Sequence, residues 1–148
     1  NKIVEIVKNN ISLLSEVDQS ISIKFNYNKE DLLIKCDSEQ ISRVCFNLIK
    51  NSIESIQEKS KKNGDFTKII DIEIIDKSDY ISINLTDNGA GFSTDILKNI
   101  TKPYFTTKPK GSGLGLSIVN KVINDHNGSM KFYSNSNGAK VEVILPRN

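Results

Sequence analysis

The chain has 148 residues, 37% of them hydrophobic and 26% charged, which suits one folded domain around one core. Its net charge of +2 is too small to point to a nucleic-acid partner, and no apolar run approaches the roughly 18 residues that a membrane-crossing helix needs. Two cysteines and a single histidine, with no CxxC spacing, exclude the usual zinc sites, and both cysteines read as reduced and structural.

In chain order, residues 2–14 place Ile3, Ile6, Val7, Asn10, Leu13 and Leu14 at helical spacing and predict a short amphipathic helix. Residues 20–28 alternate with period two and predict a strand. Residues 31–37 read as its hairpin partner, ending at Cys36, with the turn near 28–31. The longest helical signal covers 38–60, with Asp37 or Ser38 as its cap and Ile41, Val44, Cys45, Leu48 and Ile56 as its core face. A polar loop is expected at 61–68. Residues 69–76 and 80–87 predict an antiparallel hairpin, and residues 93–100 a short helix. Residues 101–113 have no period, two prolines and three lysines, and read as a long mobile loop. A helix is expected over 114–128, with Asn127 and Gly128 closing it in the left-handed conformation. A last hairpin joins 129–136 to 139–146 around Asn137 and Gly138. The order predicts an α+β two-layer sandwich with the helices on one face of the sheet. The chain starts at Asn1 and enters in mid-pattern, so it reads as a piece of a longer protein.

Three stretches carry candidate chemistry. In "NLIKNSIE", Asn47, Lys50, Asn51 and Glu54 share one helical stripe. Two amides one turn apart can offer carbonyl oxygens to a hard cation such as Mg²⁺, which keeps several waters and takes few protein ligands. A solvated helix face is the competing reading. In "DNGAGF", Asp87 ends a strand where a carboxylate can accept from an exocyclic amine, and Gly89 and Gly91 let the backbone approach a flat ligand. A plain Asp-Asn-Gly turn is the alternative. In "GSGLG", Gly111, Gly113 and Gly115 precede a helix whose N-terminus favours an anion, and Lys102, Lys108 and Lys110 add positive charge. The spacing fits neither the P-loop nor the dinucleotide fingerprint.

Taken in order, "NLIKNSIE", "DNGAGF", "PYFTTK" and "GSGLGLSIV" resemble the N, G1, F and G2 boxes of sensor histidine kinases. They cover the ATP-binding catalytic domain of that family, a Bergerat-type nucleotide fold, over roughly residues 20–146. The "PYFTTK" form and "HNGSMKFYSN" look most like the nitrogen-regulation branch. The resemblance implies that Asn51 is the principal Mg²⁺ ligand, with Asn47 helping, and that Asp87 accepts from the adenine 6-amino group. Gly89 and Gly91 would shape the adenine pocket. Phe105, beside Tyr104, would anchor a mobile lid over the ATP, with Thr106, Thr107 and Lys108 where the lid meets the phosphates. Gly111, Ser112, Gly113, Leu114 and Gly115 would form the phosphate-binding turn. Lys50 would either reach a phosphate or be a solvated lysine, and Glu54 carries no assigned role.

The related ATPases place a water-activating glutamate one turn before the metal asparagine, where this chain has Asn47. A neutral amide cannot take a proton from water. The chain is therefore expected to hold ATP without hydrolysing it efficiently. The alternatives are a hydrolysing ATPase of the same fold and a non-catalytic nucleotide-sensing or protein-binding module. His126 lies at a helix end in "NDHNGS" and reads as structural, an imidazolium favoured by the helix dipole. The phosphoacceptor histidine would lie on a separate dimerisation domain, with residues 1–19 as its tail or a linker and 20–148 as the catalytic domain. The resemblance further implies a homodimeric full-length kinase, a response regulator receiver domain downstream, and a cytoplasmic location, within a soluble protein or as the inner portion of a membrane-bound sensor.

Overall fold

The computed structural model describes residues 1–91, 115–135 and 137–147. Its longest element is helix α2 (Ser38–Asn63), which follows helix α1 (Ile3–Leu14) and strand β1 (Ser22–Tyr27). Asp37 is its N-cap: the side chain accepts from Gln40 N at 3.1 Å. The expected apolar face is buried, and Ile49, Ser52 and Ile53 join it. α2 runs on through 61–63, into the stretch expected to be loop. It stops at Gly64, whose φ of 76° ends the turn while its N–H donates to Ser60 O.

After α2 come β2 (Ile69–Asp76) and β3 (Tyr80–Asp87), then helix α3 (Gly115–Asp125) and the hairpin of β4 (Ser129–Asn135) and β5 (Gly138–Pro146). One five-stranded sheet has the order β1-β2-β3-β5-β4. Period two on each strand sends one side inward. Ile70, Ile72 and Ile74 of β2, Ile81, Ile83 and Leu85 of β3, and Val141, Val143 and Leu145 of β5 form that inner face. It packs on Val44, Leu48, Ile53 and Ile56 of α2 and on Val119, Val122 and Ile123 of α3. Ile3, Val4, Val7 and Leu14 of α1 enter the same core, whereas Leu13 is 62% exposed. This is the expected α+β sandwich with the helices on one face. The expected helix at 93–100 and the lid at 101–112 lie outside the described residues.

One pairing differs from expectation. Residues 31–37 are not a strand, and β1 has no hairpin partner there. β1 instead pairs in parallel with β2, Phe25 opposite Ile72. The alternation of 31–37 is genuine, because Leu32 and Ile34 are buried and Leu33 is not. Its backbone is satisfied by the N-terminus: Ile3 N donates to Leu32 O and Ile34 N to Asn1 O, with one antiparallel bridge between Lys2 and Leu33. Cys36 and Cys45 are both free, and burial pushes the Cys45 thiol up to about 12, which leaves it inert at neutral pH.

Candidate functional site

α2 is amphipathic, so burying one stripe against the sheet leaves its neighbour along the rim. Asn47 and Asn51 lie on that rim, both half-buried. Lys50 is exposed, and its Nζ lies 3.9 Å from Glu54 Oε1 on the next turn, a loose surface pair of small energetic weight. Lys50 thus leans along the helix towards Glu54.

β3 delivers Asp87 to the same rim. The residue is 7% exposed and lies opposite Ala139 of β5. Burial pushes its carboxyl pKa above the ordinary value, opposed by hydrogen bonds from Gly89 N–H, the Ser52 hydroxyl and Ala139 N–H, and by the charge of Lys59. The donation from Gly89 N to Asp87 Oδ1 spans 2.8 Å and closes a tight turn. Asn88 staples this turn to the start of β2, for its Oδ1 accepts from Ile69 N at 2.9 Å and its Nδ2 donates to Thr67 O.

Glycine is required at three places here. A Cβ on Gly89 would stand 2.5 Å from Ser55 Oγ and 2.8 Å from Ile56 N, inside contact distance of α2. Gly91 has φ of 73°, a conformation that side chains disfavour. At Gly138, with φ of 140°, a Cβ would fall 1.9 Å from Asp87 O. The β4–β5 turn therefore presses on the backbone of Asp87. Sequence reasoning assigned Gly138 to hairpin chemistry alone and missed Ser52, Ser55, Lys59 and Asn88 as supports of the site. Their signal was only that Ser52, Ser55 and Lys59 lie within one or two turns of Asn51.

The structure sets the turn of Asp87 and Gly89 against α2 at Ser52, Ser55 and Lys59, the helix that also carries Asn47 and Asn51, and Lys50 points along it at Glu54. Gly115 is the first residue of α3. Phe105, Thr106, Thr107, Lys108, Gly111, Ser112, Gly113 and Leu114 lie outside the described residues. His126 departs from the imidazolium reading. Its Nε2 accepts from Asp37 N at 3.0 Å while Nδ1 lies 2.8 Å from Val122 O. A neutral ring with its proton on Nδ1 satisfies both contacts, and an imidazolium would lose the first. The histidine is structural, as expected, but as a tie between the end of α3 and the cap of α2.

Residues 36–148 match the family described as "Histidine kinase-, DNA gyrase B-, and HSP90-like ATPase". The chain belongs to this family. Within it, a sensor histidine kinase of Rickettsia conorii described as NtrY-like is 33% identical over 144 residues, which is 97% of this chain and 23% of that protein. The sensor histidine kinase ZraS of Salmonella typhimurium is 33% identical over 146 residues, 96% of this chain and 30% of that protein. The chain thus spans less than a third of either relative. The nucleotide-free catalytic domain of histidine kinase ThkA superposes with a TM-score of 0.86 at 27% identity, covering 99% of this chain and 93% of that one. ThkA has also been solved in complex with the response regulator TrrA, with a TM-score of 0.78 at 26% identity over 41% of that chain. These likenesses bear out the recognition from the four boxes. The fold is that of a histidine kinase catalytic domain, and nucleotide use follows from the family. Among the described residues no helix is long and apolar enough to cross a membrane.

Proposed function

We propose that this histidine kinase catalytic domain binds Mg²⁺–ATP between the rim of α2 and the turn after β3, and that in the intact protein the γ-phosphoryl passes to a histidine on a separate dimerisation domain. The observation that carries this reading is the buried Asp87 carboxylate. It is held among N–H donors beside two glycines and bonded by the hydroxyl of Ser52, the residue next to Asn51 on α2. An ionised carboxylate in a dry site is a strong acceptor for an exocyclic amine, and so favours adenine over guanine. Gly89 and Gly91 let the base lie against backbone.

The residues fit a magnesium ion of modest protein ligation. The described residues contain no group of three or more His, Cys, Asp or Glu side chains for a metal. The amide oxygens of Asn51 and Asn47 would hold the ion, with water and phosphate oxygens completing its shell. The ion would supply charge neutralisation at the phosphates. The work of this chain is then to orient ATP and exclude competing water, because Asn47 cannot act as a general base. A hydrolysing ATPase would need that base. Lys108, Phe105, Thr106 and Thr107 would close over the phosphates, and Gly111, Ser112, Gly113, Leu114 and Gly115 would cradle them at the start of α3. Residues 1–19 would be the tail of the dimerisation domain or the linker from it, with α1 packed into the core of the catalytic domain. A receiver domain of a response regulator would take the phosphoryl group next. The full-length protein would be a cytoplasmic homodimer or the inner portion of a membrane-bound one.

Incubation with labelled ATP tests the reading. The chain alone is expected to give neither self-labelling nor useful phosphate release. Added dimerisation domain should acquire an acid-labile label slowly, because the tether that raises effective concentration is gone. Label on His126 would overturn the separate acceptor, and fast phosphate release by the chain alone would favour the ATPase.

A further inference from the structure

The row that begins with Asn47 and Asn51 continues four residues at a time through Ser55 and Lys59. At its far end α2 grips the turn after β3. Ser55 Oγ accepts from Ala90 N–H at 3.1 Å, and Ser55 O lies 3.4 Å from the same nitrogen. Lys59 Nζ donates to Asn88 O at 3.0 Å while standing 4.7 Å from the centre of the Phe66 ring. Gly89, between the two contacts, fits only because it has no side chain. Its N–H is the donor to Asp87 Oδ1, so any shift of the turn away from α2 moves the donor that orients the carboxylate. One helix ridge therefore carries the amides at one end and the anchor of the base acceptor at the other.

We propose that Ser55 and Lys59 are positioning residues for the adenine base, holding the turn at 88–90 on α2 and so fixing the Asp87 carboxylate relative to Asn47 and Asn51. This rests on the assignment of Asp87 to the adenine 6-amino group. Asn88 ties the turn to β2 and Ser52 donates to the Asp87 carboxyl itself, while Ser55 and Lys59 tie the turn at 88–90 to α2 through their side chains. Loss of one such hydrogen bond should loosen ATP by about threefold to tenfold, the weight of one neutral or singly charged contact.

The test titrates the chain by calorimetry with three magnesium complexes: ATP, purine riboside triphosphate, which lacks the 6-amino group, and tripolyphosphate, which lacks the base. Ser55→Ala and Lys59→Met should each weaken ATP by about threefold to tenfold. Each should shrink the preference for ATP over the analogue, and leave tripolyphosphate within about twofold of the parent. Lys59→Arg, which keeps a donor, should restore the preference. A preference unchanged in either variant removes that residue from the assignment. Equal losses for all three ligands would mean a merely structural role and overturn the proposal. Asp87→Asn separates the two levels. If it abolishes the preference while Ser55→Ala and Lys59→Met do not, only this inference fails. If it leaves the preference intact, the adenine assignment fails as well.

Discussion

Asp87 sits in the β-sheet rim at a cost that depends on pH. Burial raises its folded-state pKa above the unfolded value, so between those values the folded state binds the proton more readily. Its contribution to stability is fully present below the ordinary carboxylate pKa and is lost as pH rises through the raised one. On the proposed base contact, nucleotide binding runs the other way, because the ionised carboxylate is the stronger acceptor. ATP affinity should fall on acidification at a pH above the ordinary carboxylate range. Asp87→Asn keeps an acceptor for Gly89 N–H but removes the charge. It should leave the melting temperature at pH 7 equal or higher and flatten its decline from about pH 4 upward. ATP affinity should drop by about tenfold or more. Thermal melts across pH and calorimetry with ATP check both halves, and unchanged ATP affinity would remove Asp87 from the base contact.

Among the elements, α3 has the most clearly local ending. Asn127 has φ of 58°, with Gly128 N donating to Ile123 O and Asn127 N to Asn124 O, both at 2.9 Å. This is a Schellman closure with asparagine at the left-handed position. Asn127→Gly should stabilise the chain by up to about 1 kcal/mol, and Asn127→Val should destabilise it by about 1–2 kcal/mol, read from urea unfolding. Such features were legible in the sequence because their causes lie within a few residues. The same holds for the buried face of α2, the β2–β3 hairpin and the turn before β5. The partner of β1 was not legible. The pattern of 31–37 is as strand-like as that of 69–76, and the choice between them is made by α1, whose N-terminus takes the backbone of 32–34. Asn51 and Asp87 stood out through motif order. Ser55 and Lys59 read only as the polar continuation of a helix, since nothing local says that a turn 30 or so residues later docks on them.

At the scale of the whole molecule, α1 is part of the core. Ile3, Val4, Val7 and Leu14 are buried with the sheet, and the buried Asn10 donates through Nδ2 to Ser42 Oγ and to Ile6 O, both at 2.9 Å. At about 1.5–3 kcal/mol for each buried apolar side chain, these four match most of the net stability of an ordinary domain. Deleting residues 1–20 should therefore leave a chain without a cooperative thermal transition at 25 °C and above. Near-ultraviolet circular dichroism and a melt would show this, and a cooperative transition close to the parent's would mean that α1 contributes little.

The pairing at the centre of the sheet has a further consequence. β3 and β5 are neighbours there, with Asp87 opposite Ala139, so the innermost seam joins strands about fifty residues apart in the chain. Closing a loop costs entropy that grows only with the logarithm of its length, about 0.6 kcal/mol for each doubling. Lengthening a flexible loop by several residues thus costs less than trimming one methyl group from a core. The turn after β3 has no such latitude, pinned as it is between β5 and α2 with no room for a Cβ at Gly89 or Gly138. Length changes in this fold are therefore cheap where a chain only has to close, and costly at the turn that follows β3.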